Sequence, residues 1–575
     1  MLKPIVRRKR VSDEHLSDKL DPVIRQIYAS RGVLSDKELT LATQLLAPVD
    51  SMKGLEQACQ VLFHALTTQQ SIFIIGDFDA DGATSTALMM TALSLFGCNS
   101  HQFLVPNRFE YGYGLTAEIV DIAAQKGAQL LITVDSGISC HAGVERAKEL
   151  GLQVIVTDHH LAGERLPPAD AIVNPNQPDC TFTSKSIAGV GVAFYFCLAM
   201  RKYLREHNWF NEKGIQEPNI AQLLDLVALG TVADVVSLDA NNRILVEQGL
   251  KRIRAGVTRP GIQALIEISG KNQQQLVASD FGFALGPRIN AAGRLDDMAF
   301  GINCLLADNL MDARIMAQEL DGLNKTRREI EQGMQQEAEN VLKALNFTED
   351  NLPHAIALFH QDWHQGVIGI VAGRLKEKYH RPTIVFALAE NGVELKGSAR
   401  SIPGLHIRDL LEHIDTQQPG LIIKFGGHAM AAGLSITKEN FEQFQQAFVR
   451  YAKLWLKDEF LHGTVVSDGQ LPSHSMNLSF AQLIRDSGPW GQNFPEPIFD
   501  DQFSLIQQRI VGEKHLKIVV EKEGRLYDGI AFNIDIKQWP DNNIKTVHLA
   551  YRLDINEFRN KQSLQLMVEH ITPVC

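Results

Sequence analysis

Three aspartates, Asp77, Asp79 and Asp81, fall within five residues of one another in the stretch Ser71-Ile-Phe-Ile-Ile-Gly-Asp77-Phe-Asp79-Ala-Asp81-Gly82-Ala-Thr-Ser-Thr-Ala-Leu88. Like charges this close repel unless a cation neutralises them, and an oxygen-rich set suits Mg²⁺ or Mn²⁺. More groups of the same chemistry follow: Asp135 in Val134-Asp135-Ser-Gly, the triplet Asp158-His159-His160, and Asp234 in Gly230-Thr-Val-Ala-Asp234. Each motif has a plainer reading. Clustered Asp after a strand is often a solvated turn, and a His-His pair is often a surface feature. The Asp-x-Asp-x-Asp-Gly spacing also matches the start of an EF-hand loop, but Leu88 stands where that loop needs Glu. Asp79-Ala-Asp81-Gly82 is similar to the nucleophile motif of haloacid dehalogenase phosphatases, except that Ala83 replaces their Thr.

The elements that must carry these groups decide between the readings. Residues 71–76 are rich in β-branched and aromatic side chains and read as a buried parallel strand. Gly76 and Gly82 bracket a turn, and Ala83 to Leu95 has a helical apolar pattern. Further strands are expected at 101–105, 129–134, 153–157 and 171–173, alternating with helices as in a parallel sheet covered on its faces. Three of these strands end on Asp77/Asp79/Asp81, on Asp135 and on Asp158-His159-His160, where open α/β sheets place ligands. Asp234 follows an apolar helical stretch that begins near Leu223 and also holds Asp225. Buried charges at successive strand ends need pairing or a metal. Together the four segments favour a two-metal site over a salt-bridge network.

The remainder of the chain is longer than one domain requires. At 575 residues, three or four domains are expected. Residues 11–70 read as short helices leading into the first strand. Met316, Leu320, Leu323, Ile330, Met334, Ala338, Val341 and Leu345 recur at threes and fours, so 311–345 reads as one long connecting helix. A second α/β segment runs from Ala355 to about Leu461. Its motifs are Trp363-His364-Gln-Gly-Val-Ile-Gly-Ile-Val-Ala-Gly373-Arg374, Lys396-Gly-Ser398-Ala-Arg400-Ser401 and Phe425-Gly426-Gly427-His428. Backbone N–H groups beside Ser, Arg and His suit a phosphate, although glycines also make ordinary turns. The tail has strand-like runs at 502–511, 515–522, 525–534, 546–555 and 562–569. Five strands fit an OB-fold barrel, with a generic small β-domain as the alternative.

Composition excludes some classes. With 45% hydrophobic and 21% charged residues the chain reads as soluble and globular. A net charge of −11 argues against coating nucleic acid by bulk charge but leaves room for a local basic groove. The seven cysteines lack any C-x-x-C pair, which fits a reducing compartment and argues against structural zinc. Residues 1–10 are basic without an apolar core, so no secretory signal is expected, and no run is long enough to span a membrane. The expected location is the cytoplasm.

On Asp77-Phe-Asp79-Ala-Asp81-Gly, Val134-Asp135-Ser-Gly, Asp158-His159-His160 and Gly230-Thr-Val-Ala-Asp234, the chain resembles the DHH phosphoesterases. Pro106-Asn-Arg108-Phe-Glu-Tyr-Gly-Tyr-Gly-Leu, Gly286-Pro-Arg288-Ile-Asn290-Ala-Ala-Gly293-Arg294 and the glycine motifs of the second segment resemble the RecJ family within them, from about residue 50 onward. The resemblance implies an α/β multidomain protein with an N-terminal helical extension (1–50), a parallel-sheet DHH catalytic domain (51–310) and a connecting helix (311–350). An α/β DHHA1 substrate-binding domain (351–461) and an OB-like single-strand-binding domain (462–575) follow. It implies metal-dependent 5′→3′ degradation of single-stranded DNA to mononucleotides, in repair, mismatch repair and recombination. Two Mn²⁺ or Mg²⁺ ions are expected on Asp77, Asp79, Asp81, Asp135, His159 and Asp234, with Asp135 bridging. His160 is expected beside the scissile phosphate, Asp158 behind the imidazoles, and Arg288 among the catalytic groups. Arg108, Asn290 and Arg294 are expected at phosphates, and Ser398, Arg400, Gly426, Gly427 and His428 at the 5′ end. A monomer is expected, with single-stranded DNA, a single-strand-binding protein and a helicase as partners and no membrane. The alternatives are a nanoRNase or nucleotide phosphatase of the same family, and a DNA-binding scaffold without catalysis.

Overall fold

The computed structural model describes residues 3–107, 114–344, 352–534, 538–558 and 561–574. The chain forms two compact units that are not sequential. One comprises Lys9–Asn324 with Asn477–Pro497, and the other comprises the N-terminal residues through Arg8, Lys325–Met476 and Ile498 onward.

The first unit is organised by a five-stranded parallel sheet of β1 (Ile72–Ile75), β2 (His101–Leu104), β3 (Leu130–Val134), β4 (Gln153–Thr157) and β5 (Ala171–Val173). Its order is β2-β1-β3-β4-β5, with every pairing parallel. The order reverses between β1 and β3, and a crevice opens at such a switch point, outside the carboxyl ends of the strands. Ile72–Ile75 and Leu130–Val134 are wholly buried, as central strands covered on both faces must be. Helix α1 (Ala80–Leu95) is apolar nearly all round and buried accordingly. It begins three residues before the expected Ala83, because the Asp79 side chain caps it by accepting from the N–H groups of Asp81 and Gly82. Helices α2 (Gly189–Glu206) and α3 (Leu224–Ala233) pack against α1.

Two features lay beyond local pattern. Segment 477–497 joins this unit because Trp490 and Phe494 stack on Tyr28 at 6.1 and 6.3 Å, and the Arg243 guanidinium lies 4.2 Å from the Phe494 ring. The expected helical extension at 1–50 also needs correction. It has one regular helix, Pro22–Ser30, several 3₁₀ turns, and a short strand, Ile5–Arg7. That strand pairs in parallel with Val465–Ser467 in the second unit, and Arg7 clasps Asp500 at 2.8 Å.

The long helix spans Leu310–Ala344, one residue offset from expectation. Beyond it, β6 (Ile356–Phe359), β7 (Thr383–Leu388), β8 (Glu394–Arg400), β9 (Lys424–Gly427) and β10 (Ala431–Thr437) form a mixed sheet of order β9-β10-β8-β7-β6. The tail closes as a barrel of β11 (Phe499–Val511), β12 (His515–Lys522), β13 (Arg525–Ala531), β14 (Thr546–Phe558) and β15 (Lys561–Pro573), in the order β11-β12-β13-β15-β14. Closure removes the exposed edges that an open five-stranded sheet would carry. The barrel resolves the choice left open by pattern in favour of the OB-like reading.

Candidate metal centre

The carboxylates meet at the switch point. Asp77 follows β1, Asp135 follows β3, Asp158-His159-His160 follows β4, and Asp234 caps the C-terminus of α3. Ligand atoms of Asp77, Asp79 and Asp135 lie within 4.8 Å of one another, as do those of Asp81, His159 and Asp234 and those of Asp135, His159 and His160. Asp135 and His159 belong to two groups each, so the sets interlock. Asp135 holds a left-handed backbone with φ of 58°, which a side chain other than glycine rarely adopts. Such strain persists where surrounding structure over-determines it, commonly at a functional site.

Charge here is poorly compensated. Burial, followed by the neighbouring charges of Asp81 and Asp79, pushes both Asp135 and Asp234 well above the usual carboxylate range. Asp81 is pushed up to about 7 by burial and then by Asp79, against the pull of two backbone N–H groups. Those donors are Gly189 N at 2.6 Å and Val190 N at 2.9 Å, on the first turn of α2. Burial, followed by His160, lowers His159 to about 4, so its ring is neutral at pH 7 and suited to ligating a metal. Its Nε2 is 3.1 Å from Asp135 Oδ1 and 3.5 Å from Asp234 Oδ2. Among the described residues, the buried His159 Nε2 and Asp234 Oδ2 have no hydrogen-bond partner. A divalent cation fits these donors: hard carboxylate oxygens, a neutral imidazole and buried atoms facing one another unsatisfied.

The second imidazole differs. His160 Nδ1 is 2.7 Å from Asp158 Oδ1. Burial opposes the charge on His160, but the hydrogen bond and charge of Asp158 outweigh it and raise the ring to about 9. Asp158 also accepts from the N–H groups of Ile138, His159 and His160, which fixes the whole triplet. Asn176 donates to His159 O at 2.6 Å and Asn174 to His160 O at 3.0 Å.

The other expected residues separate into groups. Asn290 Oδ1 accepts from Ala80 N at 2.7 Å, so it props the aspartate turn. Gly293 belongs to the same prop, since a Cβ there would lie 2.0 Å from Phe78 O. Arg288 is buried, bonds Asp321 through Nε at 2.9 Å, and donates to Ala284 O. Its forked donors are thus engaged within the protein. Arg294 closes the same helix, Gly286–Leu295. Arg108 lies outside the described residues.

In the second unit, Ser398 pairs in register with Gly433, and Gly433 with Gly426, while Ala399, Ala432 and Gly427 form the adjacent row. His428 is exposed in the turn that follows β9. Arg400 Nη1 bonds Ser398 Oγ at 3.1 Å and Ala399 O at 2.8 Å. Among the described residues Arg400 forms no ion pair, and its burial lowers its pKa. Gly369 approaches so closely that a Cβ there would meet Arg400 Nη2 and Ser398 Oγ at 2.9 Å.

Sequence reasoning overlooked the glycines that crowd the carboxylates. A Cβ on Gly189 would lie 2.6 Å from Asp135 Oδ1, and one on Gly230 would lie 3.0 Å from Asp81 Oδ1. Glycine inside the buried apolar helices α2 and α3 was the available signal. Asn174 and Asn176 carried no comparable mark.

The sheet and its hard donors suit a divalent metal, and the family matches place the chain in a class, the metal-dependent phosphoester hydrolases. Residues 71–231 match the DHH family N-terminal domain, 351–454 the DHHA1 domain, and 467–570 the RecJ OB domain. The chain is 58% identical to the single-stranded-DNA-specific exonuclease RecJ of Salmonella typhimurium, covering 99% of both chains. It is 57% identical to the Escherichia coli protein of the same name, covering 100% of both. The fold superposes on the crystal structure of Thermus thermophilus RecJ in complex with Mn²⁺ with a TM-score of 0.78 and 29% identity, covering 97% of this chain and 76% of that one. The Mg²⁺ complex from the same organism gives 0.72 and 27%, with the same coverage. The chain belongs to the RecJ family of DHH phosphoesterases.

Proposed function

We propose that this protein is a metal-dependent exonuclease that degrades single-stranded DNA from the 5′ end to mononucleotides, in repair and recombination. The observation that carries this reading is the interlocked cluster of Asp77, Asp79, Asp81, Asp135, His159 and Asp234 at the switch point of the sheet. These residues would hold two divalent ions, Mn²⁺ or Mg²⁺, with Asp135, which belongs to two of the interlocked groups, as the ligand common to both. Such a pair supplies a nucleophile at neutral pH and Lewis acidity for both the attacking and the leaving oxygen.

The chain's own groups do the remaining work. His160, held by its 2.7 Å contact with Asp158, offers a ring hydrogen bond to a phosphate oxygen beside the cluster. Asn290 and the Gly189 and Val190 N–H groups hold the aspartates in place, and Arg288 acts as a positioning residue through Asp321. Arg294 and Arg108 are assigned to flanking phosphates. Ser398, Arg400, Gly426, Gly427 and His428 form the pocket for the 5′ terminus, where Arg400 meets the terminal phosphate of the strand instead of a protein carboxylate.

In this division of labour residues 51–310 cut, 351–461 hold the end, and 462–575 bind the strand, with 1–50 and the 311–350 helix as connections. The protein acts as a cytoplasmic monomer, with a single-strand-binding protein and a helicase supplying its substrate. The β-rich tail weighs against the shorter nanoRNases, and the full set of carboxylates weighs against a scaffold. Digestion of 5′- and 3′-labelled single strands and duplexes with Mg²⁺ or Mn²⁺ tests reaction, polarity and strand selectivity together. Release of label from the 3′ end first, or equal digestion of duplex, would overturn the reading.

A further inference from the structure

Phe283 is 82% exposed, the highest value among the large hydrophobic side chains of the described residues. It sits in a single π-helical turn, Phe281–Leu285, whose flanking Phe281 and Leu285 are completely buried. The turn is therefore anchored on one face and presents a phenyl ring to solvent on the other. π-Helical turns are rare and recur at functional sites, because they break the regular register of a helix to aim a side chain.

The turn is tied to the metal centre from two directions. On one side it packs on the end of α3: a Cβ on Gly282 would lie 3.6 Å from Val232 Cγ1, and one on Gly286 would lie 3.1 Å from Ala233 Cβ. The residue after Ala233 is Asp234, whose Oδ2 faces His159. Val235, which follows, is 62% exposed with a left-handed φ of 63°. On the other side the turn leads into the helix Gly286–Leu295, which bonds back to it through Arg288 and Ala284 O and supports the aspartate turn through Asn290. The ring thus stands one residue from a segment in contact with the end of α3, the helix that Asp234 caps.

We propose that Phe283 is a base-stacking residue: it holds one nucleobase of the single strand threaded to the metal centre. The proposal rests on the exonuclease reading. Its chemistry is that of an unpaired base, whose π-face a duplex buries and a single strand offers, so the contact also favours single strands. Removing an exposed ring leaves no cavity, so Phe283→Ala should fold normally.

The experiment scans one abasic nucleotide along a 5′-phosphorylated strand and measures equilibrium affinity with Ca²⁺ in place of the catalytic ion, and KM and kcat with Mn²⁺, for the full chain. In wild type, an abasic residue at one position should weaken binding by about 5- to 150-fold, the range for one stacked base. Phe283→Ala should weaken binding of the intact strand by the same factor and become insensitive to the abasic residue at that position. Phe283→Trp should restore both. KM should follow affinity while kcat changes little. Unchanged affinity in Phe283→Ala, or penalties for the mutation and the abasic site that simply multiply, would overturn the proposal. A wild type that binds but does not cleave would refute the exonuclease reading, and the binding cycle would still decide the role of Phe283.

Discussion

The metal centre and the Arg400 pocket are charge-imbalanced in opposite senses. At the switch point, buried carboxylates outnumber the cations beside them, and burial with mutual repulsion raises Asp81, Asp135 and Asp234. On β8 a half-buried guanidinium has a hydroxyl and a carbonyl for company and forms no ion pair among the described residues. Other buried charges in the same molecule are matched. Asp225 takes Arg259 at 3.0 Å and also accepts from Thr258, and Asp501 takes Lys522 at 2.7 Å. Burying an unmatched charge costs free energy, so the sites that keep one are those where a ligand of opposite sign completes it. By that logic the proposed metal centre suits cations and the proposed pocket around Arg400 suits an anion.

The largest expected effect follows from removing Asp135, the ligand proposed to be common to both ions. Asp135→Ala should lose cleavage to background in Mn²⁺ while keeping the fold, as read by circular dichroism and a rate assay; a near-normal rate would place the metals elsewhere. A stability experiment sharpens the contrast between matched and unmatched charge. Asp225→Asn breaks a matched buried pair and should cost about 3–5 kcal/mol in denaturant unfolding. Asp135→Asn in metal-free protein relieves repulsion instead and should leave stability unchanged or higher. Equal losses in both would erase the distinction.

A smaller effect belongs to the second site. Arg400→Ala should reduce the preference for a 5′-phosphate over a 5′-hydroxyl by about tenfold, since a charge-assisted hydrogen bond contributes roughly 1.5–3 kcal/mol. Manganese binding should be untouched. A preference ratio that does not move would put the 5′ pocket elsewhere.

The smallest effect is pH-dependent. His160 has its folded pKa raised from 6.5 to about 9, so its contribution to metal-free stability is full below 6.5 and is lost as pH rises through about 9. Asp158 is shifted the other way, burial being outweighed by its bonds to His160, so its contribution is present above 3.8 and is lost as pH falls below that. Metal-free Asp158→Asn should lose the alkaline transition, and NMR titration of His160 should move toward 6.5.

How far these sites could be read in advance followed sequence distance. Strand ends carrying Asp77, Asp135 and His159 were legible because each motif is local and the alternation of strands and helices implies a parallel sheet. The barrel was legible for the same reason, apart from strand ends such as β13, which stops at Ala531. The role of Asn290 was not, because its partner Ala80 is 210 residues away and only the folded packing joins them. The bond from Arg288 to Asp321 was not legible either, because that partner comes from the long helix. The strand Ile5–Arg7 could not be foreseen either, since its partner Val465–Ser467 lies far along the chain and three residues carry no period.

The central claim is that the carboxylate and imidazole cluster holds two divalent ions. Titration of the metal-free full chain with Mn²⁺, followed by electron paramagnetic resonance, tests it directly. Two ions per chain with a spin-coupled signal in wild type, and loss of that coupling in Asp135→Ala, are the predicted results. A wild type that binds fewer than two ions, or an Asp135→Ala variant that keeps the coupled signal, would contradict the account.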